Sequence, residues 1–89
     1  MKSRTEARFW HFYDSLSEDV QRDADRAYRF WRVNPRHPSL QFKCVDPQDS
    51  LYSVRVGRGY RALGRREGDT VIWFWIGDHD EYERLLRSL

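Results

Sequence analysis

Cysteine, histidine and lysine are scarce in this chain, and it contains no long apolar run. Its 89 residues include one cysteine and three histidines. The single Cys44 excludes an internal disulfide, and His11, His37 and His79 are scattered rather than clustered at the spacing of a structural zinc site. No stretch approaches the ~20 consecutive apolar residues of a membrane span, and the opening MKSRTEARFW lacks the apolar core of a signal peptide. Internal repeats, linkers and low-complexity segments are also missing. The expectation is a cytoplasmic chain with no metal, no cofactor and no membrane contact.

Aromatic side chains, by contrast, are plentiful: four Trp, five Tyr and five Phe. A domain this small buries only about 60% of its unfolded surface, so its core must be dense, and large rings supply that density. Residues 1–89 are therefore expected to form one domain. Hydrophobic residues at 39% and charged residues at 34% are ordinary for a folded chain rather than a disordered one.

The formal net charge of +2 hides an asymmetry. Of 16 basic residues 14 are arginine, whose planar fork grips phosphate or carboxylate through paired hydrogen bonds. Residues 51 to 77 hold Arg55, Arg58, Arg61, Arg65 and Arg66 against only Glu67 and Asp69. Such a strip points to an acidic polymer as partner.

Periodicity divides the chain in two. Phe9, Phe12, Tyr13 and Leu16, then Val20, Ala24, Ala27, Tyr28 and Trp31, recur at three- and four-residue steps and predict two amphipathic helices. Ser17 is placed to cap the second helix, with Glu18 and Asp19 in its first turn, and Pro35 stops it near Asn34. From Leu40 the period becomes two. Leu40, Phe42 and Cys44 predict a strand with Cys44 as a small core residue. Tyr52 to Val56, Tyr60 to Arg66 and Thr70 to Ile76 predict three more, joined at Gly57 to Gly59 and Gly68-Asp69. Trp73 and Trp75 are assigned to packing rather than to base stacking, and Tyr60 to strand structure. Asp78 caps a last helix, with Glu81 three residues on. The expected fold is α+β: an N-terminal helical hairpin, a four-stranded antiparallel sheet and a C-terminal helix, with the helices on one sheet face and the other face open.

Three segments, NPRHPSLQFK, YSVRVGRGYRALG and VIWFWIGDHDEY, in this order on these elements, closely resemble the RelE/ParE superfamily of bacterial type II toxins, from about Val20 to Leu86. Many relatives open with a short strand, whereas here a helix is expected almost at once. The resemblance implies a toxin neutralised by a cognate antitoxin. In RelE-like members the toxin enters the ribosomal A site and cleaves mRNA, and in ParE-like members it poisons DNA gyrase without a nuclease site. A degenerate relative that only binds antitoxin is a third reading. By motif position, Arg55 and Arg61 match basic strand residues of the RelE-like site, Lys43 joins them from the preceding strand, and Arg58 lies in the turn between them. Ser53 stands where the best-known pattern has a lysine, and His79 where it has arginine.

Metal-free RNA cleavage needs a group to stabilise phosphorane charge and groups to move protons, and arginine, histidine and tyrosine together can do this. The expected catalytic set is Arg61, His79 and Tyr82, with Lys43, Arg55 and Arg58 binding RNA. An imidazole titrates near ~6.5, suited to proton transfer at neutral pH. Tyr82, three residues after His79, is expected on the same helix face, stacking on a splayed base or orienting the attacking hydroxyl. His37 is read as holding its turn, His11 as surface or core filler, and Arg65 and Arg66 as surface charge.

Overall fold

A computed structural model of the chain describes all residues, 1–89. In order, the elements are β1 (Lys2–Thr5), α1 (Ala7–Asp14), α2 (Glu18–Val33), a short 3-10 turn (Pro38–Leu40), β2 (Lys43–Asp46), β3 (Leu51–Val56), β4 (Tyr60–Glu67), β5 (Thr70–Asp78) and α3 (His79–Arg87). The strands form one sheet in the order β1-β5-β4-β3-β2. Strands β2 to β5 make the expected antiparallel meander, but the sheet is a mixed one of five strands rather than an antiparallel one of four. The helical hairpin follows a strand instead of opening the chain. That strand, β1, runs parallel to β5 with Lys2 opposite Thr70 and Thr5 opposite Trp73. Its four residues, KSRT, are polar and mostly exposed, so backbone pairing rather than an apolar face holds them.

The second helix behaves as its sequence dictates. The Ser17 hydroxyl accepts a hydrogen bond from the Val20 amide at 3.3 Å, satisfying one free donor of the first turn, and the helix ends at Asn34 before Pro35. His37 holds its turn, its Nδ1 accepting from the Ser39 amide at 3.2 Å. Gln41 then takes the left-handed conformation, φ 46° and ψ 43°, which breaks the strand expected to begin at Leu40. Pairing starts only at Lys43. Cys44, on this edge strand, is exposed and not the core residue expected.

Two clusters of buried side chains occupy opposite sides of the sheet. The larger joins Trp31 and Leu40 to Val54, Val56, Ala62, Val71, Trp73 and Ile76, with Phe9, Phe12 and Tyr13 from α1 packed against it. The smaller contains Leu63, Trp75 and Tyr82, and Leu86 of α3 packs against it. Leu63 and Ala62 are consecutive on β4 and so point to opposite faces. The third helix therefore covers part of the face expected to be open.

A register shift between Leu63 and Gly64 explains how β5 serves both faces. Leu63 pairs with Trp75 and Gly64 with Trp73, leaving Phe74 as an extra residue. The bulge reverses the alternation, so Trp73 faces the hairpin and Trp75 the opposite side. Each indole rests where a glycine makes room. A Cβ on Gly64 would stand 2.8 Å from Trp73, and one on Gly77 2.5 Å from Trp75.

The helices α1 and α2 leave between themselves and the sheet an apolar cleft of about 250 Å³, lined among others by Phe9, Trp10, Tyr28, Trp31, Trp73 and Ile76. Tyr13 lies at its wall. Burial and a hydrogen bond to Asp25 (2.9 Å) push its hydroxyl above the usual phenol range. Trp10 and Tyr28, which line it, are exposed.

Candidate functional site

Arg55 and Arg61 are directly opposite one another on β3 and β4. Directly paired residues share a face, so both guanidinium groups rise from the side of the sheet that carries Leu63 and Trp75. One row along the strands, Lys43, Ser53, Leu63 and Trp75 face each other across four strands, bringing Lys43 to the same face. Like charges directly opposite in a sheet repel and destabilise it.

Two other arginines of the strip, Arg65 and Arg66, are accounted for by neighbours. Arg65 bonds Glu67 at 3.2 Å and Glu6 at 3.3 Å. Its hydrogen bond to Glu67, followed by the one to Glu6, raises its pKa further. Arg66 lies 5.4 Å from the ring centroid of Tyr52. Neither Arg55 nor Arg61 has such a carboxylate. Arg55 is exposed and its Nε donates to the Gly57 carbonyl at 3.1 Å. Arg61 donates from Nη2 to the Gln41 side-chain carbonyl at 2.6 Å, while its Nη1 is buried without an acceptor in the protein.

The start of α3 completes the surface. The Asp78 carboxylate accepts from the Glu81 amide at 2.8 Å, the cap expected from the sequence, and the His79 amide donates to the Gly59 carbonyl at 2.8 Å. That last bond ties the helix to the turn that carries Arg58, which is itself exposed. Tyr82 is close to both principal candidates. The Arg61 guanidinium carbon is 5.6 Å from its ring centroid, and the His79 ring centroid is 5.8 Å from it. Tyr82 is only 4% exposed, its ring packed with Leu63 and Trp75, so little of it remains for a splayed base.

The structure thus brings Arg61, His79 and Tyr82 into one group, with Arg55 beside it, Lys43 one row away and Arg58 at the adjoining turn. Two neighbours were missed by the sequence reading. Glu83 lies 3.2 Å from His79 Nε2, and its position four residues on in a capped helix was a usable signal. Gln41 had no signal, because its contact depends on a backbone turn that periodicity does not report. Ser53, at the lysine position of the RelE-like pattern, is 0% exposed and its hydroxyl has no partner. No group of three or more His, Cys, Asp or Glu side chains gathers as a metal site, and no helix is long and apolar enough to cross a membrane.

Residues 18–84 match the family model described as a ParE-like toxin domain. No curated protein matches the sequence. Among solved structures, the fold is similar to a RelB-RelE antitoxin-toxin complex from Methanococcus jannaschii, at 16% identity and TM-score 0.73, covering 92% of this chain and 96% of that one. It is also similar to a YoeB/ParE toxin from Agrobacterium tumefaciens, at 14% identity and TM-score 0.67, covering 89% of this chain and 99% of that one. A third similar structure is the isolated RelE toxin of E. coli, at 16% identity and TM-score 0.63, with 99% and 98% covered. At these identities the likeness is one of fold.

Proposed function

Because the chain belongs to the family of ParE-like toxin domains, we propose that it is the toxin of a toxin-antitoxin pair and that it cleaves messenger RNA without a metal, in the cytoplasm and on the ribosome. The observation that carries this reading is the directly opposed pair Arg55 and Arg61, unneutralised by any carboxylate and bordered by Tyr82 and His79. Two cations held face to face cost stability that a phosphodiester between them offsets.

In the proposed reaction the RNA 2′-oxygen attacks the adjacent phosphorus and the bond from phosphorus to the 5′-oxygen breaks, giving a cyclic phosphate and a free 5′-hydroxyl. The 2′-hydroxyl proton leaves to water. Arg61 and Arg55 balance the charge that builds on the phosphorane oxygens. His79, oriented by Glu83, gives a proton to the departing 5′-oxygen. The Tyr82 hydroxyl orients the attacking group, and Lys43 and Arg58 hold flanking phosphates.

The antitoxin's place in this reading is the apolar cleft between α1, α2 and the sheet, where Trp10 and Tyr28 are left exposed. Solved relatives include complexes of toxin with antitoxin. A short apolar segment of a partner fits such a groove.

A second reading, a gyrase poison without nuclease chemistry, is favoured by the burial of Ser53, which leaves this surface one cation short of the RelE-like pattern. Expression in a bacterial host separates the two. Arrest of translation with messages cut inside codons, abolished in Arg61→Ala and His79→Gln chains that still fold, supports the nuclease. An SOS response with intact messages overturns it in favour of gyrase, and harmless expression of the unaltered chain overturns both.

A further inference from the structure

Gln41 sits in a backbone conformation that side-chain-bearing residues rarely adopt, φ 46° and ψ 43°, at the end of the 3-10 turn. Glycine or asparagine would meet that demand with less strain. Its side-chain oxygen accepts a hydrogen bond from Arg61 Nη2 at 2.6 Å, across twenty residues of sequence. The same guanidinium group lies over the Tyr82 ring, its carbon 5.6 Å from the centroid. Local strain that persists beside a candidate site, tied to one of its charged groups, points to a role in that site.

We propose that Gln41 is the positioning residue for Arg61, and this rests on the nuclease reading above. An arginine side chain has four rotatable bonds and wanders over a large volume unless something fixes it. Tyr82 supplies a plane for the guanidinium group to lie on, but a plane leaves it free to slide and turn. The Gln41 carbonyl fixes the remaining freedom by claiming Nη2. A neutral acceptor does this without neutralising the cation, which a carboxylate in the same place would do. Arg61 Nη1 is buried without a protein acceptor, so the bond from Nη2 to Gln41 is the side-chain hydrogen bond that anchors the guanidinium group.

The strain makes the proposal separable from a structural role. Gln41→Gly deletes the side chain while relieving the backbone, so its thermal midpoint is expected to equal or exceed that of the unaltered chain. Its single-turnover cleavage of ribosome-bound message is expected to fall on the order of tenfold to a hundredfold, the loss that a small misplacement of a catalytic group produces. Its affinity for RNA should change much less. In parallel, the Arg61 Nε–Hε nuclear magnetic resonance signal, assigned by its loss in Arg61→Lys, should be sharp in the unaltered chain and exchange-broadened or shifted in Gln41→Gly. Full cleavage by Gln41→Gly, or an Arg61 signal indifferent to the substitution, overturns the proposal. If the unaltered chain cleaves no RNA, the nuclease reading alone falls. The Arg61 signal then decides the matter: broadened in Gln41→Gly, it upholds Gln41 as the residue that fixes Arg61, and unchanged, it refutes that.

Discussion

The guanidinium group of Arg61 lies over the ring of Tyr82, with 5.6 Å from its carbon to the ring centroid, and the same ring is packed into the cluster of Leu63 and Trp75. Tyr82 thus joins the core beneath the site to the charge upon it. Tyr82→Phe keeps the ring and should unfold at nearly the same temperature, so any fall in RNA cleavage by that variant reports the hydroxyl. Tyr82→Ala removes the ring and is expected to cost about 3–5 kcal/mol, measured by urea unfolding. A loss below about 1 kcal/mol would mean that the ring is not the platform described.

The two tryptophans of β5 lead to a paired prediction. A Cβ at Gly64 would come within 2.5 Å of Val71 and 2.8 Å of Trp73, and one at Gly77 within 2.5 Å of Trp75. Neither ring has space to retreat inside a packed core. Gly64→Ala and Gly77→Ala should each lose about 1–3 kcal/mol by the overpacking they force. Gly77→Ala should also disturb the site, because Gly77 pairs with Arg61. Near-ultraviolet circular dichroism and denaturant midpoints test both.

Much of this arrangement was legible in the sequence. The αα-hairpin with its Ser17 cap, the strands β3 to β5 and the Asp78 cap follow from periodicity and capping chemistry, because apolar burial and helix termini leave local marks. β1 left none. Its residues Lys2 to Thr5 bury almost nothing, and their partner lies almost seventy positions away in sequence. The phase reversal at Phe74 made β5 read as apolar on both faces, which is true, but concealed that the third helix would cross to the second face. At the site, the grouping of Arg61 and Arg55 was readable from strand alternation. Of the contacts that orient the group, Glu83 on His79 is a pair four residues apart within α3 that helix spacing signals, whereas Gln41 on Arg61 depends on a left-handed residue that periodicity does not report.

Ser53 offers a substitution expected to stabilise. Its hydroxyl is buried and has no partner, so it retains the full desolvation penalty of an unpaired polar group. Ser53→Ala removes that group with almost no change in shape. The variant should gain up to about 1 kcal/mol, which for a chain of this size raises the melting temperature by roughly 4–8 °C. A lower melting temperature would show that the hydroxyl does find an acceptor.

Glu6 gives the chain an acid-sensitive contact. The hydrogen bond to Arg8, with a further one to Arg65, holds its carboxyl below the ordinary value of 4.5, against a smaller opposing effect of burial. A carboxylate whose pKa is depressed on folding adds stability that is present above the unfolded value and lost as pH falls through the folded one. Unfolding midpoints should therefore decline as pH drops below about 4.5, and Glu6→Gln should flatten part of that decline while lowering the midpoint at neutral pH. Identical pH profiles for the two proteins would contradict the contact.

The parallel pairing of Lys2 with Thr70 has a consequence for how the molecule is born. While the ribosome is still making α1, α2 and strands β2 to β4, the opening ribbon has nothing to hydrogen-bond, and it waits until β5 emerges. Contacts so distant along the chain slow the search for the finished shape, even though closing the longer loop adds little further entropy cost. Prematurely terminated products that stop before Thr70 therefore lack both the outer strand's partner and the helix bearing His79, so the group of Arg61, His79 and Tyr82 comes together only after β5 and α3 have emerged.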